Sequence, residues 1–163
     1  MNKRYPQDRF TRKSKSCMSN FKIVQADWHR DKDLLVKIRN QVFIIEQKVP
    51  PELELDELDS SAKHFLAYTP SNQAIGSARF LISRNGSAQI GRMAVLKEYR
   101  NQGCGLALLQ GCLQWARQQQ LNEIKLHAQN HAIPFYQKSG FNIRGSEFMD
   151  AGIPHHEMVL ILN

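Results

Sequence analysis

Cysteine is scarce in this chain: Cys17, Cys104 and Cys112 are the only three, and no two stand as Cys-x-x-Cys. An odd number without such a pair argues against a disulfide framework and points to a reducing, cytoplasmic setting. Long apolar runs are missing as well. None approaches the ~18 residues of a membrane-spanning helix, and the N-terminus lacks the apolar core of a secretory signal. No Gly-Lys-Ser/Thr follows a glycine-rich turn, which excludes a Walker loop, and no segment repeats. Metal-ligand patterns are thin. His127-x-x-x-His131 has zinc-like spacing, but it crosses a strand–helix boundary and no cysteine pair accompanies it. His155-His156-Glu157 falls at the opening of a strand, where neighbours face opposite sides. No metal is expected.

Acidic residues are the minority: 15 against 22 lysines and arginines, for a net charge of +7. The excess sits mostly in residues 1–20, which hold six bases and one acid (Asp8). That stretch is expected to be a disordered basic tail, either simply solvated or able to touch nucleic acid or the ribosome. Met18 precedes the first strand and is a second candidate start. The remainder, residues 21–163, suits one domain with a sizeable core.

Along that domain the spacing predicts a strand over 21–27, then a helix capped by Asp31 or Asp33. The helix carries Leu34, Leu35, Ile38, Val42 and Ile45 and stops before Pro50-Pro51. An acidic loop fills 52–61. Strands are expected over 64–69, 74–83 and 87–96, the last two joined by an Asn85-Gly86 hairpin turn. A helix over about 103–120 shows Leu106, Leu109, Leu113 and Ala116 on one stripe. Then come a strand at 123–128, a short helix at 130–138 ended by Ser139-Gly140, a strand fragment at 141–144, a loop over 145–154 and a last strand at 156–162. Hairpins first and strand–helix alternation later describe one mixed α/β domain.

The most informative stretch is Arg100-Asn101-Gln102-Gly103-Cys104-Gly105, between a strand and a helix. Free amides at a helix start and the helix dipole make an anion site. Glycines let a diphosphate approach the backbone, and Arg100 can add a charge-assisted bond. Taken alone, a Gly-x-Gly before a helix is more often a tight turn.

Its neighbours add weight. Arg100, Gly103 and Gly105 match Gln/Arg-x-x-Gly-x-Gly/Ala. Asn130-His131-Ala132-Ile133-Pro134-Phe135-Tyr136, followed by Gly140-Phe141, is similar to Asn-x-x-Ala-x-x-Phe-Tyr-x-x-x-Gly-Phe. Pro134 departs from that pattern, but a proline is tolerable in a first helical turn. These segments resemble the GNAT superfamily of acyl-CoA-dependent N-acyltransferases. Arg39-Asn40-Gln41 through Pro50, Glu54-x-Asp56-x-x-Asp59-x-x-Ala62-x-His64, and Asp150 through Met158 resemble its ElaA-like branch. The resemblance covers roughly residues 21–163.

It implies an α/β (α+β) domain whose mixed central sheet carries one splayed strand pair flanked by helices. It also implies acetyl-CoA as cosubstrate and an amine acceptor, small-molecule or peptide, attacked directly in a ternary complex. The cofactor would be held by Arg100, Asn101, Gln102, Gly103, Cys104, Gly105 and Leu106, by the strand edge at Met93 and Val95, and by Asn130, Phe135 and Tyr136. A backbone N–H near Ala94 would polarise the thioester. Tyr136 is the expected acid for the leaving thiolate, since a phenol and a thiol have comparable pKa. For the base, Glu46, His64, His127 and His155 all stay open, as does a water chain in place of them all, with Glu46 and His64 singled out. Glu54, Asp56, Asp59 and His155 are expected near the acceptor, the acids as an electrostatic lure or as caps of a short turn. Cys104 stands at a helix start, which lowers a thiol pKa, but it is read as a small loop residue. A homodimer is compatible with all this. The rival functions are an acyl-CoA sensor without catalysis and a nucleic-acid binder acting through the basic tail.

Overall fold

The computed structural model describes residues 20–162. The basic tail, Cys17 and the Met18 start lie outside them. Seven strands form one sheet: β1 (Lys22–Ala26), β2 (Lys63–Tyr68), β3 (Ala74–Ile82), β4 (Ser87–Val95), β5 (Glu123–Gln129), β6 (Asn142–Asp150) and β7 (Ile153–Ile161). Their order across the sheet is β1-β2-β3-β4-β5-β7-β6. Every neighbouring pair is antiparallel except β4 and β5, which run parallel and are joined through α3 (Cys104–Gln118). The other α-helices are α1 (Trp28–Arg39), the single turn α2 (Pro51–Glu54) and α4 (Ile133–Gln137).

Alternation along the strands feeds two cores. Phe65 packs with Phe80, Leu108, Leu109, Cys112, Ile124 and Leu126 beneath α3, while its neighbour Leu66 packs with Leu35, Ile38 and Val42 beneath α1. Successive strand residues face opposite sides, so the two helices cover opposite faces. Trp115 of α3 sits edge-on to both Phe65 and Phe80, at 5.8 and 5.4 Å between ring centroids.

Gly111 explains how closely α3 approaches the sheet. A Cβ there would lie 2.7 Å from Cγ2 and 3.2 Å from Cβ of Ile23 on β1. Isoleucine is stiff at χ1 and cannot swing away cheaply. Gly111→Ala therefore sets an overpacking cost of about 1–3 kcal/mol against a helix gain of about 1 kcal/mol. A fall of a few degrees in melting temperature is expected. A rise would mean that the β1–α3 contact gives way.

Several sequence expectations shift. The cap of α1 is Asp27, which accepts from the Arg30 amide at 3.0 Å, while Asp31 returns a bond from the Asp27 amide at 2.8 Å. The helix thus starts before Asp31 and Asp33. It does not run on unchanged to Ile45. After Arg39 the turns widen into a π-helix over Asn40–Glu46, which leaves Ile45 exposed. Leu106 is exposed too, because the buried face of α3 runs through Cys104, Leu108, Leu109 and Cys112. The stretch 145–154, expected as a loop, is mostly strand: β6 continues to Asp150 and turns into β7 at Ile153. β6 is an edge strand with almost every residue exposed, so it shows no apolar alternation to read.

Candidate active site

The site is built where the parallel pair parts. β4 and β5 stay paired from Ser87–Glu123 to Ile90–Leu126. Beyond that, β4 follows β3 and β5 follows β7, whose partners run to Val95 and Gln129 respectively. A cleft of about 670 Å³ opens between them. It is walled by Gly91–Val95 on one side, by Leu126, His127 and Gln129 on the other, by Glu46 and Gln47 of the helical arm, and by Asp150, Ala151, Ile153 and His155 around the β6–β7 turn.

A bulge produces the parting. Between the pairs Ser77–Ala94 and Arg79–Gly91, one residue of β3 faces two of β4. The extra residue is Arg92, with a left-handed φ of +49°. Bulges bend and twist a strand away from its neighbour. Past the bulge the Leu96 amide donates to the Ile75 carbonyl at 2.9 Å. Antiparallel alternation therefore turns the Ala94 amide toward β3 and the Met93 and Val95 amides toward the gap. The backbone donors available in the cleft belong to Met93 and Val95, on either side of the expected Ala94.

What holds the bulge is the acidic loop. Arg92 Nε donates to the Glu54 carbonyl at 3.0 Å, and its Nη2 to the Leu53 carbonyl at 3.1 Å. Beneath lies a charge-balanced lattice. Arg39 is ion-paired through Nε with Glu54 and through Nη1 with Asp59 at 2.7 Å, all three nearly fully buried. Arg79 Nη1 reaches Asp56 at 2.6 Å and Asp59 at 2.9 Å. Burial pushes the Asp59 and Asp56 carboxyls up, but the facing arginines outweigh it and both end below the usual carboxylate range. Asp56 also caps a 3₁₀ turn, accepting from the Leu58 amide at 3.1 Å. Glu54 and Asp59 thus cannot serve as an exposed lure, since their charge is spent on arginines inside the protein.

His64 is corrected on the same ground. It is buried, its Nε2 contacts the Asp59 carbonyl at 2.8 Å, its ring stacks on Trp28 at 4.9 Å, and it is absent from the cleft wall. Desolvation lowers its pKa. Glu46 does line the cleft, but both its oxygens accept from Arg100, at 2.5 and 2.7 Å. Those bonds hold it below the ordinary glutamate range and make it a poor base. His155 lies in the wall with Nδ1 against the Ile153 carbonyl at 2.7 Å.

On the other side of the gap, α4 aims the Tyr136 hydroxyl at the Met93 sulfur, 3.6 Å away. Desolvation pushes the phenol up to about 12, so it stays protonated at any working pH. Phe135, beside it, faces Gly105 at the start of α3. Gly103 takes a φ of +87° with open space around it, and no side chain caps α3. The amides from Cys104 to Leu106 are therefore unclaimed by a cap, and an anion such as a diphosphate fits them. Arg100 faces Glu46, and its Nε also donates to the Val95 carbonyl at 2.9 Å. Asn130 is tied to Glu147 at 2.6 Å and to His156 at 2.9 Å. Cys104 is buried and its thiol is raised to about 11, which removes it as a nucleophile.

Three features had no sequence signal: the π-helix, the Arg92 clasp, and a reciprocal amide pair. Gln47 and Gln129 span the two walls with bonds of 2.8 and 3.4 Å. Partners 82 residues apart leave no local pattern.

The family model for the acetyltransferase (GNAT) domain matches residues 26–162, nearly the whole described region. The chain belongs to the GNAT acetyltransferase family. A Bacillus subtilis relative, the uncharacterized N-acetyltransferase YjcF, is 35% identical over 123 residues, 75% of this chain and 86% of that one. Among solved structures, Escherichia coli ElaA superposes with a TM-score of 0.75 at 24% identity, covering 85% of this chain and 98% of ElaA. A Bacillus subtilis acetyltransferase in complex with CoA gives 0.67 at 19% identity, covering 88% and 99%. These two structural likenesses concern the GNAT fold, with its mixed seven-stranded sheet. Among the described residues no helix is long and apolar enough to cross a membrane.

Proposed function

We propose that this GNAT protein moves an acetyl group from acetyl-CoA to an amine, small-molecule or peptide, by direct attack within a ternary complex. The observation that carries the reading is the Tyr136 hydroxyl reaching across the parted strands to Met93. A proton donor and an unpaired strand edge face each other there, which is what thioester aminolysis requires. In this reading the Cys104–Leu106 amides bind the diphosphate, with Gln102 and Gly103 shaping the turn beside Asn101. The Met93 and Val95 edge pairs with the pantetheine amides as an added strand would. One of those N–H groups steadies charge on the carbonyl oxygen. Phe135 packs along the same path. Asn130, tied to Glu147 and His156, fixes the turn that leads into α4. Arg100 keeps its bonds to Glu46 and to the Val95 carbonyl and so braces the strand edge, leaving the diphosphate to the helix amides.

Acetyl-CoA supplies the activated acyl group; the protein supplies position, a polarising amide and a proton. The test is a thermal shift paired with turnover. Saturation at about a hundred times Kd raises stability by about 2.7 kcal/mol, so melting should climb by several degrees with ligand concentration. CoA release should follow when an amine panel is added. No shift at millimolar acetyl-CoA would end the reading. A shift without turnover on any amine would leave an acyl-CoA binder.

A further inference from the structure

We infer that His127 takes the proton from the acceptor amine, with the Glu157 carboxylate beside it steadying the charge it gains. The inference rests on the acetyl-transfer reading above. His127 is the first β5 residue beyond the last β4–β5 pair, Ile90–Leu126, so the backbone sets it at the mouth of the parting. It lines the cleft, and its side chain is 36% exposed. Its Nε2 lies 3.8 Å from Oε2 of Glu157, the β7 residue paired with it in register. Phe148 packs edge-on against the ring at 4.9 Å between centroids.

The rivals are already committed. Glu46 is closed by two bonds to Arg100, and His64 is buried outside the cleft. His155 is 8% exposed and tied to the Ile153 carbonyl. His131 stands at the rim with no carboxylate in ion-pair range among the described residues. His127 alone of these joins an open ring, free of hydrogen bonds among the described residues, to an adjacent carboxylate. With Nε2 turned to Glu157, Nδ1 is left for a proton from the cleft. A carboxylate at this distance steadies the imidazolium by its charge. Arg144 donates to the same Glu157 at 2.7 Å and keeps it ionised.

The protons balance. The ammonium gives one to His127, which later releases it to solvent. The neutral nitrogen attacks the carbonyl carbon, and the C–S bond breaks with its electron pair on sulfur. Tyr136 protonates that thiolate and is reprotonated by the second proton, lost from the new amide nitrogen. One amide, one thiol and one free proton result. The charged groups around His127 are Glu157 on β7, Arg144 on β6, Lys125 on its own strand and His155 beyond Phe148, and the cleft walls add Arg92, Asp150, His131, Glu54 and the Glu46–Arg100 pair.

The experiment compares the parent with His127→Gln, His127→Ala and Glu157→Gln, using acetyl-CoA and an amine that the parent accepts. His127→Gln should lower kcat/KM at neutral pH about 100-fold while keeping the melting temperature and the acetyl-CoA thermal shift. The acid-side fall in kcat/KM seen for the parent should vanish in that variant. Added imidazole should partly restore His127→Ala, and the Glu157→Gln loss should not add to it. Without acetyl-CoA, titrating the amine should move the His127 ring resonances in NMR spectra. Parental kcat/KM and pH profile in His127→Gln overturn this assignment and leave acetyl transfer standing. A parent that turns over no amine overturns both.

Discussion

Tyr136→Phe lowers kcat for amine acetylation by about 100-fold or more, with KM for acetyl-CoA nearly unchanged. The substitution removes one oxygen and keeps the ring, so the packing against Phe135 and Phe141 remains. Among the described residues the hydroxyl's hydrogen-bond partner is a thioether, a weak acceptor, so its loss costs little stability. A group that acts only as the thiolate departs is felt in kcat and not in cofactor binding. The raised phenol pKa keeps the proton on Tyr136 until the C–S bond breaks, and it also makes the phenol a weaker acid, so the transfer depends on a thiolate that is itself desolvated. Steady-state kinetics with both substrates varied decides the matter. Equal kcat in parent and variant would assign Tyr136 to packing alone, and a loss confined to KM would make it a binding residue.

Why the Tyr136 segment stands out in the sequence, while the burial of the acidic loop does not, is a matter of locality. The loop 100–105 and the segment 130–141 each act within one turn of chain, so their residue types and spacing carry the information. The strands joined by Asn85-Gly86 and the helix α3 are legible for the same reason. Glu54, Asp56 and Asp59 take their meaning from Arg39, Arg79 and Arg92, 15 to 38 residues away. Nothing local distinguishes a carboxylate paired inside the protein from one in solvent. The widened turns of 40–46 are equally silent, because a π register keeps a helical pattern while rotating Glu46 and Gln47 toward the cleft. Such turns gather at functional sites, and here the rotation supplies the cleft's third wall. β6 fails differently: an edge strand with both faces wet has no period to detect.

That same lattice governs the fold's largest single vulnerability. Arg39→Met is expected to destabilise the domain by about 3–5 kcal/mol, the cost of leaving buried carboxylates without their cation. Methionine keeps much of the side-chain length, so a cavity contributes little. Glu54 and Asp59 are each 1% exposed and have no route to water without opening the loop. Against a typical total of about 5–15 kcal/mol, such a loss should lower the melting temperature by roughly 10 °C or more. It should also loosen the Arg92 clasp and with it the cleft, so acetyl-CoA binding weakens together with the fold. Acid provides the internal control. The Asp59 and Asp56 pKa values are below normal in the folded chain, because their arginines outweigh burial. Their contribution is complete above the unfolded carboxylate value of about 4 and is lost as pH falls through the lower, folded values. The gap between parent and Arg39→Met should therefore be widest near neutral pH and narrow below about pH 4. Denaturant unfolding at several pH values reads both quantities at once. A gap independent of pH would show that Arg39 matters through packing alone.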